Sequence, residues 1–268
     1  MSIRILPALA ALCLAAAPAL ARSPSTVFLE ELTWTELRDD VRTGKTTVLL
    51  PVGGTEQSGP HMALGKHNVR VRVLAGRIAA GLGNALVAPV VAYVPEGSVA
   101  PPSGHMRFAG TLSVPEGAFE TTLEYAARSL RQAGFRDIVL LGDHGGYQSS
   151  LVRVAAKLNR EWAGAPAHVH ADLVYYQSAS RDFAAALRKQ GFADAEIGSH
   201  AGLADTSLAM AVDAALVRTD RLSDVTPLAD RDGVAGDPRR ASAELGRPGV
   251  ERVVAATVES IRKSVVRP

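Results

Sequence analysis

The chain of 268 residues contains one cysteine, Cys13, and few aromatic residues, 5% of the total. It has almost no excess charge, since 29 Lys and Arg stand against 27 Asp and Glu, a net charge of +2. A near-neutral balance with no basic stripe gives no electrostatic footprint for nucleic acid. Beyond the N-terminus no apolar run approaches the ~20 residues that span a bilayer. The Gly-x-Ser-x-Gly elbow, the P-loop and the dinucleotide fingerprint are all missing, which demotes serine hydrolase, NTPase and NAD enzyme. A hydrophobic content of 47% excludes a disordered chain.

Residues 1–21 read as a secretory leader. Arg4 supplies the positive start, Ile5 to Ala17 the apolar core, and Ala19-Leu20-Ala21 the small-x-small cleavage site. The apolar stretch contains Pro7 and is about a dozen residues long, too short for a stable membrane anchor. Leu12 before Cys13 does not suit lipoprotein processing. Cleavage leaves residues 22–268, which are 247 residues with a balance of +1 once Arg4 is gone. The remaining chain has no thiol, so disulfides, zinc–cysteine sites and cysteine nucleophiles are excluded. A chain of this length buries roughly three-quarters of its unfolded surface and can be one domain held by its core alone. Export without cysteine suits a bacterial periplasm.

Apolar, β-branched runs alternate with helical stretches. Strands are expected at 46–52, 86–93 (interrupted by Pro89), 137–141 and 167–173. Helices are expected at 69–82, 115–133, 149–158, 180–191 and 241–265. Strands apolar on both faces predict an α/β fold, a three-layer αβα sandwich around a mostly parallel sheet. Ligands of such sheets bind beyond the carboxyl ends of the strands.

Three polar clusters occupy such places. The first, residues 53–68, contains Glu56, Gln57, His61, His67 and Asn68 in a glycine-rich loop after the first strand. Glu and His are ligands for zinc, iron or manganese, although a polar surface loop would also contain such residues. The second is Gly142-Asp143-His144-Gly145-Gly146. It reads either as a tight turn or as a site where backbone N–H groups meet developing negative charge. The third surrounds His200 and Asp205-Thr206. The latter pair can cap a helix, while His200 suits a general base or a metal ligand. His105, in a loop after the second strand, is a further candidate for the same crevice, whereas His168 and His170 alternate on a strand and read as sheet residues.

Together these segments resemble the creatininase (creatinine amidohydrolase) family. Leu50-Pro51-Val52-Gly53-Gly54-Thr55-Glu56-Gln57-Ser58-Gly59-Pro60-His61 is similar to the family's opening motif. Phe108-Ala109-Gly110-Thr111-Leu112-Ser113, the Gly142–Gly146 turn, His200-Ala201-Gly202 with Asp205-Thr206-Ser207, and Gly233-Val234-Ala235-Gly236-Asp237-Pro238 follow in family order. The resemblance implies an αβα sandwich, usually a homo-oligomer, and a divalent-metal amidohydrolase acting on a small amide. It carries family ligands onto Glu56 and His144. His67 stands where the family has a bridging Asp, Ser58 where it has a His, and Gly146 where creatininases place a ligating Glu. Asp205 takes the place of the acid in the family's third segment.

A carboxylate can bridge two metals, whereas a neutral imidazole offers one lone pair to one. The departures therefore point to one divalent ion per subunit, most simply zinc, with iron or manganese as alternatives. Glu56, His67 and His144 would hold it, with Asp205 or His61 as a fourth ligand or supporting partner. In that scheme His200, helped by Glu56 and Asp205, moves protons, and Gly145, Gly146 and His105 face the substrate. A catalytically inactive periplasmic member that binds a metal or ligand is the alternative.

Overall fold

A computed structural model describes residues 25–225 and 230–265. The leader, its cleavage site and Cys13 lie outside the described residues. The strands are β1 (Thr47–Val52), β2 (Ala85–Val87), β3 (Asp137–Gly142) and β4 (His168–Ala171). The helices are α1 (Trp34–Arg42), α2 (Lys66–Leu82), α3 (Glu116–Gln132), α4 (Gln148–Glu161), α5 (Leu173–Gln177), α6 (Phe183–Lys189), α7 (Asp194–Ile197), α8 (Leu203–Val212) and α9 (Ala243–Ser264).

The sheet has the order β2-β1-β3-β4 and all three pairings are parallel. Alternation along β1 and β3 explains the layers. Val48, Leu50, Val52, Ile138 and Leu140 pack beneath Phe119 and Leu123 of α3 and Leu151 and Val154 of α4. Leu49, Val139 and Leu141 point the other way, onto Leu74 and Ile78 of α2 and Val250 and Val253 of α9. Strands buried on both faces carry no polar alternation, which is why these runs are apolar throughout.

Three elements differ from the sequence reading. The second strand keeps only three residues, because Pro89 has no N–H to donate to a ladder. Beyond it the Ala88 N–H donates to the Leu49 carbonyl, and the chain meets β1 again at the isolated bridge between Val52 and Val91. The helix expected at 180–191 begins earlier than expected, as α5, and passes through a π-helical turn at Ser178–Asp182 into α6. The fourth strand also ends earlier than expected, since Asp172 caps α5 by accepting from the Tyr175 N–H. Every parallel strand ends at the same edge of the sheet, so the loops after β1, β2 and β3 converge there.

Candidate metal centre

The backbone at that edge is tied down first. Tyr147 Oη is buried, accepts from the Asp143 and His144 N–H groups, and reaches the Val52 and Gly53 carbonyls. It thereby fixes the ends of β1 and β3 to each other. Asn68 of α2 accepts from the Gly54 N–H at 2.9 Å and orders the loop after β1. Gly54 has φ 149°, and a Cβ there would lie 2.8 Å from Glu96 Oε1. A glycine is required at that point for backbone and carboxylate to approach.

Glu56 is fully buried, and its two oxygens have different surroundings. Oε1 accepts from His67 Nε2 at 2.8 Å and lies 3.7 Å from Lys66 Nζ. Oε2 lies 3.2 Å from His105 Nε2 and 3.5 Å from His144 Nε2 but makes no hydrogen bond. Glu96, 5% exposed, enters from the loop after β2, and neither of its carboxylate oxygens has a hydrogen-bond partner. One ligand atom each from Glu56, Glu96, His105 and His144 lies within 4.8 Å of the others. Three carboxylate oxygens without a hydrogen-bond partner beside two imidazoles leave room for a cation, or without one for a proton held between Glu96 and Glu56. Two carboxylates and two imidazoles are also a donor set suited to zinc, iron or manganese. The residues fit a divalent ion.

The electrostatics agree. Burial first, and then the neighbouring Glu56 charge, push the Glu96 carboxyl up to about 9. Burial would raise Glu56 as well, but the hydrogen bond and charge of His67, with Lys66 and His144, hold it below the usual carboxylate range. Burial lowers His144 to about 3 and His200 to about 4, and lowers His105 too. All three imidazoles are therefore neutral at pH 7, the form that ligates or accepts a proton.

On the Oε1 side the side chains close into a ring. His67 Nδ1 lies 2.7 Å from Asp143 Oδ2, and Arg70 Nε donates to the same oxygen at 2.9 Å. Arg70 also donates to Asp205 Oδ1 at 2.7 Å, and Lys66 donates to Asp205 Oδ2. Lys66 returns to Glu56. Tyr175 Oη donates to Asp143 at 2.8 Å, and the Ala201 N–H to Asp205 at 3.1 Å. Despite burial, which would raise them, Arg70 with His67 lowers Asp143, and Lys66 with Arg70 lowers Asp205 far more.

The residues singled out in the sequence are thus distributed. Glu56, His105 and His144 converge with Glu96. His67 and Asp205 lie in the ring; both nitrogens of His67 face carboxylates, so neither lone pair is directed to an open position. His61 is buried apart, with Nε2 3.0 Å from Thr206 Oγ1, and burial lowers it to about 4. His200 Nε2 is 3.0 Å from the Gln57 carbonyl oxygen, which turns Nδ1 toward Glu56 Oε1 at 3.7 Å. The Gly146 N–H donates to His144 Nδ1 at 3.3 Å and so supports that ring. Gly145 lines a cavity of about 280 Å³ with His144, Tyr176, His200 and Asp205. A larger apolar cavity of about 520 Å³, between α3 and residues 88–93, is lined by no carboxylate or imidazole.

Sequence reasoning missed Glu96, Lys66 and Arg70. Glu96-Gly97 follows the second apolar run much as Glu56 follows the first, and that parallel was the available signal. Lys66 and Arg70 gave none, because their acidic partners are supplied by the loops after β1 and β3 and by α8.

Comparison with known proteins gives a consistent picture. The profile of the creatininase family, described as creatinine amidohydrolase, matches residues 30–261. Creatinine amidohydrolase of Pseudomonas putida is 29% identical over 258 residues, covering 89% of this chain and 97% of that protein. The mycofactocin precursor peptide peptidase of Mycolicibacterium smegmatis is 30% identical over 241 residues, covering 82% of this chain and 84% of that one. A solved structure of a variant creatininase, described as the Zn–Zn type, superimposes with a TM-score of 0.72 at 28% identity. That match covers 90% of this chain and 99% of the other.

Proposed function

The chain belongs to the creatininase family, and from that premise we propose that it is a metal-dependent amidohydrolase with one divalent cation held by Glu56, Glu96, His105 and His144. The observation that carries this reading is the trio of buried, unpartnered oxygens, Glu56 Oε2 and both oxygens of Glu96, facing two neutral imidazoles. Zinc is the simplest occupant, and the Zn–Zn description of the similar creatininase supports it.

When bound, the ion supplies Lewis acidity toward a carbonyl and brings the acidity of water to near ~7. The chain's own residues do the rest. His200, neutral and oriented by the Gln57 carbonyl, has Nδ1 available to accept a proton and return it to a leaving nitrogen. Gly145 brings backbone to the wall of the adjoining cavity, where an N–H can face developing oxyanion charge. The cavity's size suits a small amide or the end of a short peptide. Both classes occur among the relatives, creatinine in one name and a precursor peptide in another.

The test is metal analysis of the purified protein combined with a panel of lactams, formamides, cyclic ureas and short peptides. Metal-dependent turnover of one class is expected, with His200→Ala losing about 10²–10⁴-fold in kcat while retaining the ion. Protein without bound metal, or turnover unaffected by chelation, contradicts the reading. The leader-like N-terminus and the family resemblance add two parts to the proposal, export to a periplasm and a homo-oligomeric state. N-terminal sequencing of the exported protein and light scattering check them.

A further inference from the structure

The fully buried Lys66 has no part in the reading above, and its place is specific. It is the first residue of α2, and its Nζ lies between Glu56 Oε1, 3.7 Å away, and Asp205 Oδ2, to which it donates a hydrogen bond. Those two carboxylates come from different parts of the chain, the loop after β1 and helix α8. Asp205 is held in place independently by Arg70 and by the Ala201 N–H. An ammonium enclosed by two fixed carboxylates is a cation in a cation-binding geometry.

Glu56 joins this position to the proposed metal position. Its Oε2 faces His105 and His144, while its Oε1 accepts from His67 and faces Lys66. One carboxylate shared between two cations is the arrangement of two-metal hydrolase centres, in which the ions sit about 3.5–4 Å apart. Here one partner of the shared carboxylate is already part of the polypeptide. A divalent ion at Oε1 would have to displace the ammonium or sit against it, and the like charges repel at that distance in a buried site.

We infer that Lys66 Nζ occupies a second cation position, so that the centre takes one metal ion and the chain itself supplies the charge that a second ion would bring. Lys66 is thus a positioning residue. It fixes Glu56 through Oε1, leaves Oε2 for the ion, and sets the stoichiometry. The inference rests on the metal-dependent reading of the same site and extends it to the number of ions. It also accounts for a difference from the similar creatininase described as the Zn–Zn type.

The experiment counts ions. Wild-type protein, stripped with chelator, is reloaded with excess Zn²⁺ or Mn²⁺, desalted and analysed for metal per chain. Mn²⁺-loaded protein is examined in parallel by electron paramagnetic resonance. One ion per chain and an uncoupled Mn²⁺ signal are expected for wild type and for Lys66→Arg, which keeps the charge. Lys66→Met removes the ammonium between Glu56 Oε1 and Asp205 Oδ2, which keep their contacts with His67 and the Ala201 N–H, so its capacity should rise to two ions per chain, with a spin-coupled Mn²⁺ signal. Two ions in wild type overturn the inference and leave the amidohydrolase reading intact. One ion in a folded Lys66→Met protein, checked by circular dichroism, overturns it as well. Wild-type protein that binds no ion overturns both. Should Lys66→Met not fold, the wild-type count and coupling still decide.

Discussion

On the Oε1 side of Glu56 each acid of the ring faces bases within hydrogen-bond or ion-pair distance. On its Oε2 side, a few ångströms away and equally buried, three carboxylate oxygens have no hydrogen-bond partner. The two regions share one side chain and one dielectric, so burial does not separate them. What differs is whether the protein supplies the countercharge. The ring alternates Glu56, His67, Asp143, Arg70, Asp205 and Lys66, and is finished as the chain folds. The open cluster has no such basic partner for Glu96, and a proton or a cation completes it. A site kept unsatisfied inside a satisfied frame is how a protein keeps ligand atoms oriented before the ligand arrives.

The contrast can be broken most severely at the shared residue. Glu56→Ala removes an acid from both regions, and bound metal and turnover should both be abolished, as read by metal analysis and assay. Next in size is a break confined to the ring. Arg70→Met leaves Asp143 and Asp205 buried with reduced pairing, and should lower the unfolding free energy by about 3–5 kcal/mol in urea titrations. The same kind of change on the open side should have the opposite sign. Glu96→Gln removes a carboxyl that lacks a partner, so the metal-free protein should become more stable, by about 1–3 kcal/mol at pH 8. If Arg70→Met and Glu96→Gln shift metal-free stability in the same direction, the distinction between the regions fails.

A smaller effect separates the two by pH. The Glu96 carboxyl rises from 4.5 to about 9 on folding. Between those values the folded state retains a proton that the unfolded chain has released. Metal-free stability from this group is therefore full below about 4.5 and is lost as pH rises toward 9. Asp143 and Asp205 behave in the reverse sense. Their folded values are depressed below 3.8, so their stabilisation is present above 3.8 and lost as pH falls below it. Melting temperatures of metal-free protein should thus decline from pH 7 to pH 9, above the range in which the lowered imidazoles of His61, His144 and His200 give a slope of the opposite sign. Saturating zinc, which replaces the Glu96 proton, should flatten the decline, and Glu96→Gln should remove it. A metal-free profile that rises over that range contradicts the assignment.

The parts that were legible in the sequence were those with a local cause. The apolar runs at 47–52 and 137–142 become central strands because they are buried on both faces, and their alternate residues serve the two helical layers. Pro89 shows where a run stops being a strand. The division at Ser178–Asp182 was not visible, because nothing in the helical spacing there indicates a π turn. At the site, Glu56, His144 and His200 stand out because they sit in glycine-bearing segments at element ends. The roles of His67 and Asp205 could not be separated from those of ligands, since a carboxylate or imidazole reads the same whether it meets a metal or an arginine. Glu96 and Lys66 depended entirely on tertiary placement. One becomes a candidate ligand because nothing pairs with it, the other a fixed cation because two distant acids do.

The most direct test of the centre is a calorimetric zinc titration of chelator-stripped wild type and Glu96→Gln at pH 7.5. Wild type should bind zinc with release of about one proton from Glu96, since a carboxyl near 9 is protonated at that pH. Affinity should fall more than about 100-fold in Glu96→Gln, beyond the range seen when only a ligand's supporting partner is lost. Equal affinities, with no proton released by wild type, would show that Glu96 does not hold the ion and would contradict the assignment of the open cluster.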